Sequence, residues 1–157
     1  MKKNSLTNLI LFIVSAELIG VLSALFTGDF NGFFDKYKQP PFQPPSWVFP
    51  VVWTILFAAM GLSAYKIYVS SEEKPGVKTA LSIYWAQLII NFSWSIVFFR
   101  FEALWSAVII IIILLILIIA MIISFRKINK LAAYLNIPYL LWVMFATYLN
   151  IATAVIN

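Results

Sequence analysis

The sequence predicts an all-α membrane protein: a bundle of five transmembrane helices forming one domain over residues 1–157. Three observations predict it. Hydrophobic residues make up 63% of the chain and charged residues 11%, far from the composition of soluble domains. Five mostly apolar segments, 6–26, 46–68, 79–99, 104–124 and 132–155, each reach the roughly 20 residues that a helix needs to cross the hydrocarbon core. The basic residues also divide unevenly between the connections. Lys2, Lys3, Lys66, Lys74, Lys78, Arg126, Lys127 and Lys130 fall on one side, and Lys36, Lys38 and Arg100 on the other. By the positive-inside rule the N-terminus faces the cytoplasm, and the first loop, the third loop and Asn157 at the C-terminus lie outside a cell membrane.

Composition also excludes function classes. The net charge of +5 sits in short loops beside the spans, which fits lipid headgroups and not nucleic acid. The chain has no cysteine and no histidine, so disulfides, thiol nucleophiles and His-based zinc or haem ligation are ruled out. Little chain remains outside the spans to form a soluble catalytic domain. The opening MKKNSLTNLILFIVSA has the form of a signal peptide. Glu17 interrupts its apolar run and no good cleavage site follows, so a retained first span is expected.

The first span carries Ala16, Gly20 and Ala24 at i, i+4 and i+8, a stripe that lets helices approach closely. It serves either a homodimer seam or packing within one copy. Glu17 is the only ionisable residue deep in a span. Such an acid is a functional candidate by default, but with no intramembrane Lys or Arg to pair with, it is expected to be protonated or to snorkel. The first loop, 27–45, is expected to lack regular structure yet to pack, because it is rich in aromatics and prolines. Pro40, Pro41, Pro44 and Pro45 stiffen it into a lid. The second span starts near Ser46, with Pro50 in its first turn, where a missing N–H costs little. Pro75 and Gly76 break the chain before the third span.

The third span is the most informative. Tyr84, Gln87, Asn91, Trp94 and Phe98 recur at steps of three and four, so they share one face, with Ser95 beside it. Amides cannot face lipid unpartnered, so this stripe lines either a ligand cavity or a hydrogen-bonded seam between helices. The fourth span is almost all Ile and Leu and is expected to be the most lipid-exposed wall. Trp47, Trp85 and Trp105 read as membrane-interface anchors. In the fifth span Trp142, Ala146 and Asn150 align at i, i+4 and i+8. With about 1.5 Å of rise per residue, Trp53, Phe57, Asn91 and Ala146 lie roughly 10–16 Å below the outer ends of their helices. Spans two, three and five are therefore expected to share one outer-half pocket, an apolar concavity with a few polar groups.

Three blocks carry a family resemblance: PPFQPPSWVFPVVWTILFAAMG (40–61), WAQLIINFSWSIVFF (85–99) and PYLLWVMFATYLN (138–150). The sequence resembles the translocator protein family, also called tryptophan-rich sensory proteins or peripheral-type benzodiazepine receptors. The resemblance implies a five-helix bundle, usually a homodimer, with a pocket opening toward the first loop. It implies binding of porphyrins such as protoporphyrin IX and of synthetic isoquinoline carboxamides, and light-dependent oxidative breakdown of the porphyrin. No resident cofactor is implied; the porphyrin is ligand or substrate, and the other partners are membrane lipid and a second copy. The family's two pocket tryptophans fall on Trp53 and Trp142. Its ligand contacts fall on Pro44, Phe49, Trp53, Phe57, Asn91, Trp94, Ser95, Trp142, Ala146 and Leu149. Phe33 and Phe42 stand where the family often carries Trp. The sterol-binding pattern of animal members is absent, because no Lys or Arg follows Lys130. Nothing in the chain resembles an acid–base or nucleophilic site, so the macrocycle would supply the photochemistry and the protein its orientation. The alternative reading is a transporter or stress sensor for tetrapyrroles, although no internal repeat is seen.

The cysteine-free chain allows a direct test of orientation. Single cysteines at Lys38 and Asn157 are expected to react with an impermeant maleimide added to intact cells, and one at Lys127 only after lysis. The reverse pattern would invert the topology.

Overall fold

The computed structural model describes residues 5–70 and 75–157. Lys2, Lys3 and Lys74 of the charge pattern lie outside the described residues. Seven α-helices follow in order: α1 Leu6–Thr27, α2 Phe30–Lys36, α3 Val48–Val69, α4 Val77–Ser95, α5 Leu104–Ile128, α6 Lys130–Tyr134 and α7 Ile137–Ile156. A π-helical turn, Ile96–Arg100, extends α4. The five long apolar units are α1, α3, α4 with its π turn, α5, and α6 with α7. This is a multi-pass membrane protein with five candidate spans, as composition predicts.

Local signals explain the boundaries. The Ser5 side chain caps α1 by accepting from the Asn8 N–H at 3.2 Å. Asp29 caps α2 through the Gly32 N–H at 2.9 Å, and Asn129 caps α6 through the Ala132 N–H at 3.1 Å. Gly76 turns into α4 with φ +86°, a conformation that favours glycine. Pro50 and Pro138 both sit in first turns, where their missing N–H groups leave no helical bond unmade.

The long helices close into a ring. α1 packs on α3 and α4, α5 packs on α4 and α7, and α6 returns the chain against α3. The expectation that the fourth span is the most lipid-exposed wall is corrected here. Within the protein 33% of the α5 span is buried, against 11% for α1. Ala107, Ile111, Leu114, Ile118, Met121 and Phe125 of α5 all face inward. An all-apolar helix has no polar stripe to distinguish protein from lipid, so its sequence cannot say which face is covered. α1 is the outermost wall.

The α1–α3 contact is unusually close at one point. A Cβ added at Gly61 would lie 2.6 Å from the Ile13 Cα and 2.7 Å from the Phe12 carbonyl oxygen. Both are backbone atoms, which cannot rotate away. The small-residue stripe of α1 meets α3 nearby: Ala16 is fully buried, and a Cβ at Gly20 would lie 2.6 Å from the Phe57 ring. Two of the three stripe residues therefore pack within one copy.

Gly61→Ala is expected to force these helices apart and to cost about 1–3 kcal/mol, the usual scale for overpacking a tight interior. The measurement is thermal unfolding of the detergent-solubilised chain. An unchanged midpoint would show that the crossing is looser than described.

Candidate functional site

The polar stripe of α4 is buried as its spacing predicts. Tyr84, Gln87, Asn91, Trp94 and Phe98 are each at most 5% exposed. Much of it is spent on α7. The Tyr139 hydroxyl donates to Gln87 Oε1 at 2.7 Å and accepts from Asn91 Nδ2 at 2.8 Å. Trp94 Nε1 donates to Asn150 Oδ1 at 3.0 Å, and Asn150 Nδ2 donates to the Ala146 carbonyl at 3.0 Å. Of the two roles open to the stripe, the seam is thus present, and Asn91 and Trp94 also reach a cavity. Gln87 lines neither cavity described below.

The larger cavity holds about 400 Å³, within the usual range for small-molecule sites. It lies between α1, α3 and α4 in the half of the bundle that α2 covers. One wall is Phe49, Trp53 and Phe57 of α3; another is Asn91, Trp94 and Ser95 of α4, with Phe99 of the π turn. The third wall is α1, through Glu17, Gly20, Val21, Ser23, Ala24 and Thr27. Val21, Ala24, Pro50 and Thr54 are exposed and form its rim between α1 and α3. A second space of about 20 Å³ lies under the first loop and is lined by Ala146, Leu149 and Asn150 of α7 with Phe33 and Phe34. Phe49, Trp94 and Phe99 line both spaces.

The single slot between spans two, three and five is therefore corrected. Phe49, Trp53, Phe57, Asn91, Trp94 and Ser95 come together as expected. Ala146 and Leu149 line the smaller space. Trp142 and Pro44 line neither. Trp142 stands behind Phe49, ring centroids 5.8 Å apart, and its buried Nε1 has no hydrogen-bond partner. Bulky aromatics fill the level that depth matching left open: Trp53 lies 6.1 Å from Tyr139 and 6.2 Å from Trp94.

Sequence reasoning missed the α1 wall. Ser23 and Ser95 hydroxyls are hydrogen-bonded to each other, and Thr27 Oγ1 donates to the Ser23 carbonyl at 2.8 Å. The spacing of Ser23 and Thr27, one turn apart and each one turn from the next small residue, was the available signal. Glu17, expected to be bland, is on the cavity wall.

The chain that builds these walls is similar to known proteins over most of its length. The TspO/MBR family model matches residues 12–156. The chain belongs to the TspO/MBR family. A tryptophan-rich protein TspO from Chlorobaculum tepidum is 34% identical over 125 residues, covering 80% of this chain and 79% of the relative. One from Bacillus cereus is 32% identical over 150 residues, covering 96% and 94%. The translocator protein of Bos taurus is 30% identical over 142 residues, covering 88% and 83%. The family match thus reaches from within α1 to the end of α7 and includes every residue lining both cavities.

The covering loop of this TspO/MBR bundle is not the irregular lid expected of 27–45. Its first half is α2, which Asp29 nucleates and which buries Phe33 against Phe98 and Phe99 at 4.8 and 5.1 Å. Phe30 and Phe34 pack on Phe49 at 5.9 and 5.7 Å. The π turn admits one extra residue, so the adjacent Phe98 and Phe99 both face inward. Of the two phenylalanines noted in place of Trp, Phe33 is buried and Phe42 is 84% exposed. The proline segment acts as a strap: the Tyr148 hydroxyl donates to the Pro41 carbonyl at 3.0 Å, and Asn157 exchanges two hydrogen bonds with the Lys38 backbone at 2.9 and 3.1 Å. Trp47, Trp85 and Trp105, read as interface anchors, are all exposed, at 65%, 39% and 60%.

One polar clasp fastens α2. Glu102, between α4 and α5, takes a hydrogen-bonded ion pair from Lys36 and a hydrogen bond from the Tyr37 hydroxyl at 2.9 Å. Its backbone has φ +52°, a strained setting for a non-glycine residue. Lys36, then Tyr37, holds the Glu102 carboxyl below its usual 4.5, and the Glu102 carboxylate raises Lys36. A lowered carboxyl stabilises the clasp above the unfolded value and loses that contribution as pH falls through the folded one. Lys36, being raised, contributes below its unfolded value and is lost at alkaline pH. Amide exchange in α2, corrected for intrinsic rates, is therefore expected to quicken when pH drops from about 7 to about 3. Glu102→Gln at neutral pH should reproduce the change and remove its pH dependence. Identical exchange in both proteins at both pH values would dismiss the clasp.

Proposed function

We propose that this protein binds porphyrins, protoporphyrin IX in particular, and promotes their light-dependent oxidative degradation. The observation that carries the reading is the aromatic cavity of about 400 Å³ beside Trp53, Phe57 and Trp94. Family membership supports it. Flat apolar rings stack on such walls, and Asn91 and Ser95 offer a few polar contacts. The exposed rim between α1 and α3 lets a macrocycle larger than the cavity extend toward lipid. Isoquinoline carboxamides, likewise flat and apolar, fit the same description.

In this reading light excites the bound macrocycle and dioxygen is the oxidant. The chain holds the macrocycle against an indole that donates an electron or intercepts reactive oxygen. Trp53 lies on the cavity wall and meets the ligand directly. Trp142 lies one ring behind it, through Phe49, and takes part by electron exchange or by a shift of Phe49. No acid–base chemistry is asked of the chain, and no metal is needed. A homodimer is part of the proposal, its interface left to surfaces other than the Ala16–Gly20 contact that α3 occupies.

Titration of the purified protein with protoporphyrin IX, in dark and light and followed by absorbance, tests the reading. Replacing Trp53 and Trp142 together by Phe is expected to preserve binding within about threefold, since Phe still stacks, while abolishing light-driven loss. Unchanged photobleaching would remove the indoles from the mechanism. Absence of saturable binding in the parent protein would remove the porphyrin.

A further inference from the structure

The hydrogen bonds behind the cavity have a direction, and that direction decides which atoms of Asn91 are already committed. Gln87 contacts the Met60 sulfur at 3.7 Å. A thioether only accepts, so the amide nitrogen of Gln87 must face it. That turns Gln87 Oε1 to Tyr139, whose hydroxyl donates to it at 2.7 Å. The Tyr139 proton is then spent, and its oxygen accepts from Asn91 Nδ2 at 2.8 Å. Asn91 keeps its carbonyl oxygen and one further amide hydrogen. Met60, Gln87, Tyr139 and Asn91 are each at most 3% exposed, so water does not compete for these bonds.

We propose that Met60, Gln87 and Tyr139 form a positioning relay that presents the Asn91 carbonyl oxygen to the cavity. The α4 wall then selects flat apolar ligands that carry a hydrogen-bond donor. The inference rests on reading this cavity as a ligand site. Neighbouring donors are already committed: Trp94 Nε1 to Asn150, Thr54 Oγ1 to the Pro50 carbonyl at 2.9 Å, and Thr27 Oγ1 to Ser23. Among the described residues no Lys or Arg lines the cavity. A ligand donor therefore belongs at α4. A buried acceptor left without a donor costs more than the bond itself is worth, which is how such a site rejects an analogue lacking the N–H.

Carbazole and N-methylcarbazole are flat and rigid and differ only in that N–H. Calorimetric titration of the full chain in detergent is expected to give carbazole about a tenfold tighter Kd. Asn91→Leu should bring the ratio close to one while N-methylcarbazole binding persists. Tyr139→Phe, which keeps Asn91 but frees its amide to turn, should lower the ratio, and Met60→Leu should lower it less. A ratio near one in the unaltered chain, or one that Asn91→Leu leaves unchanged, overturns the relay whatever the other variants do. If protoporphyrin IX still binds, only the relay fails. If neither carbazole nor porphyrin binds saturably, the ligand-site reading falls with it.

Discussion

The Tyr139 hydroxyl, bridging Gln87 and Asn91, is the interaction on which the interior depends. Inside a bilayer an unpartnered amide costs several kcal/mol, whereas a satisfied interhelical hydrogen bond stabilises by only about 0.6 kcal/mol on average. The penalty is therefore the larger quantity. It fixes the rotation of α4, because its two amides have to face α7. With that rotation set, Trp94 reaches Asn150 and Phe98 reaches α2. The flank of α4 carrying Asn91 and Ser95 is turned toward α1 and α3, where the cavity lies.

Two kinds of contact then shape that cavity. On one side glycine permits approach: Gly61 lets the α1 and α3 backbones touch, and Gly20 leaves room for the Phe57 ring. On the other side large rings hold helices apart. Phe49 and Trp53 of α3 span toward Trp142 and Tyr139 of α7. Close approach at one point and spacing at another leave an open volume in the half of the bundle that α2 covers. The ring cluster of α2 and the π turn closes the end, and the Glu102 clasp and the strap to α7 hold the cover down.

The architecture was legible because spanning helices announce themselves by length and composition, and because the α4 stripe alternates with apolar residues at helical spacing. All five spans lie within a few residues of where the apolar segments place them. The family was legible from three blocks in order. What was not legible has physical reasons. Burial of α5 left no trace in a helix made of Ile and Leu. The α2 helix is only seven residues long, with Asn31 and Gly32 early in it, and its stability comes from Phe33 packing rather than from propensity. Depth matching carried no information about rotation around the helix axes, which turns Trp142 away from both cavities. The α1 wall went unread because small residues and single hydroxyls look alike whether they line a cavity or pack a helix.

The most direct test of this account is an experimental structure of the chain with a bound porphyrin. The account predicts macrocycle density between α1, α3 and α4, against Trp53 and Phe57, with the Asn91–Tyr139–Gln87 bonds intact. Density between α3 and α7, with Asn91 released from Tyr139, would contradict it.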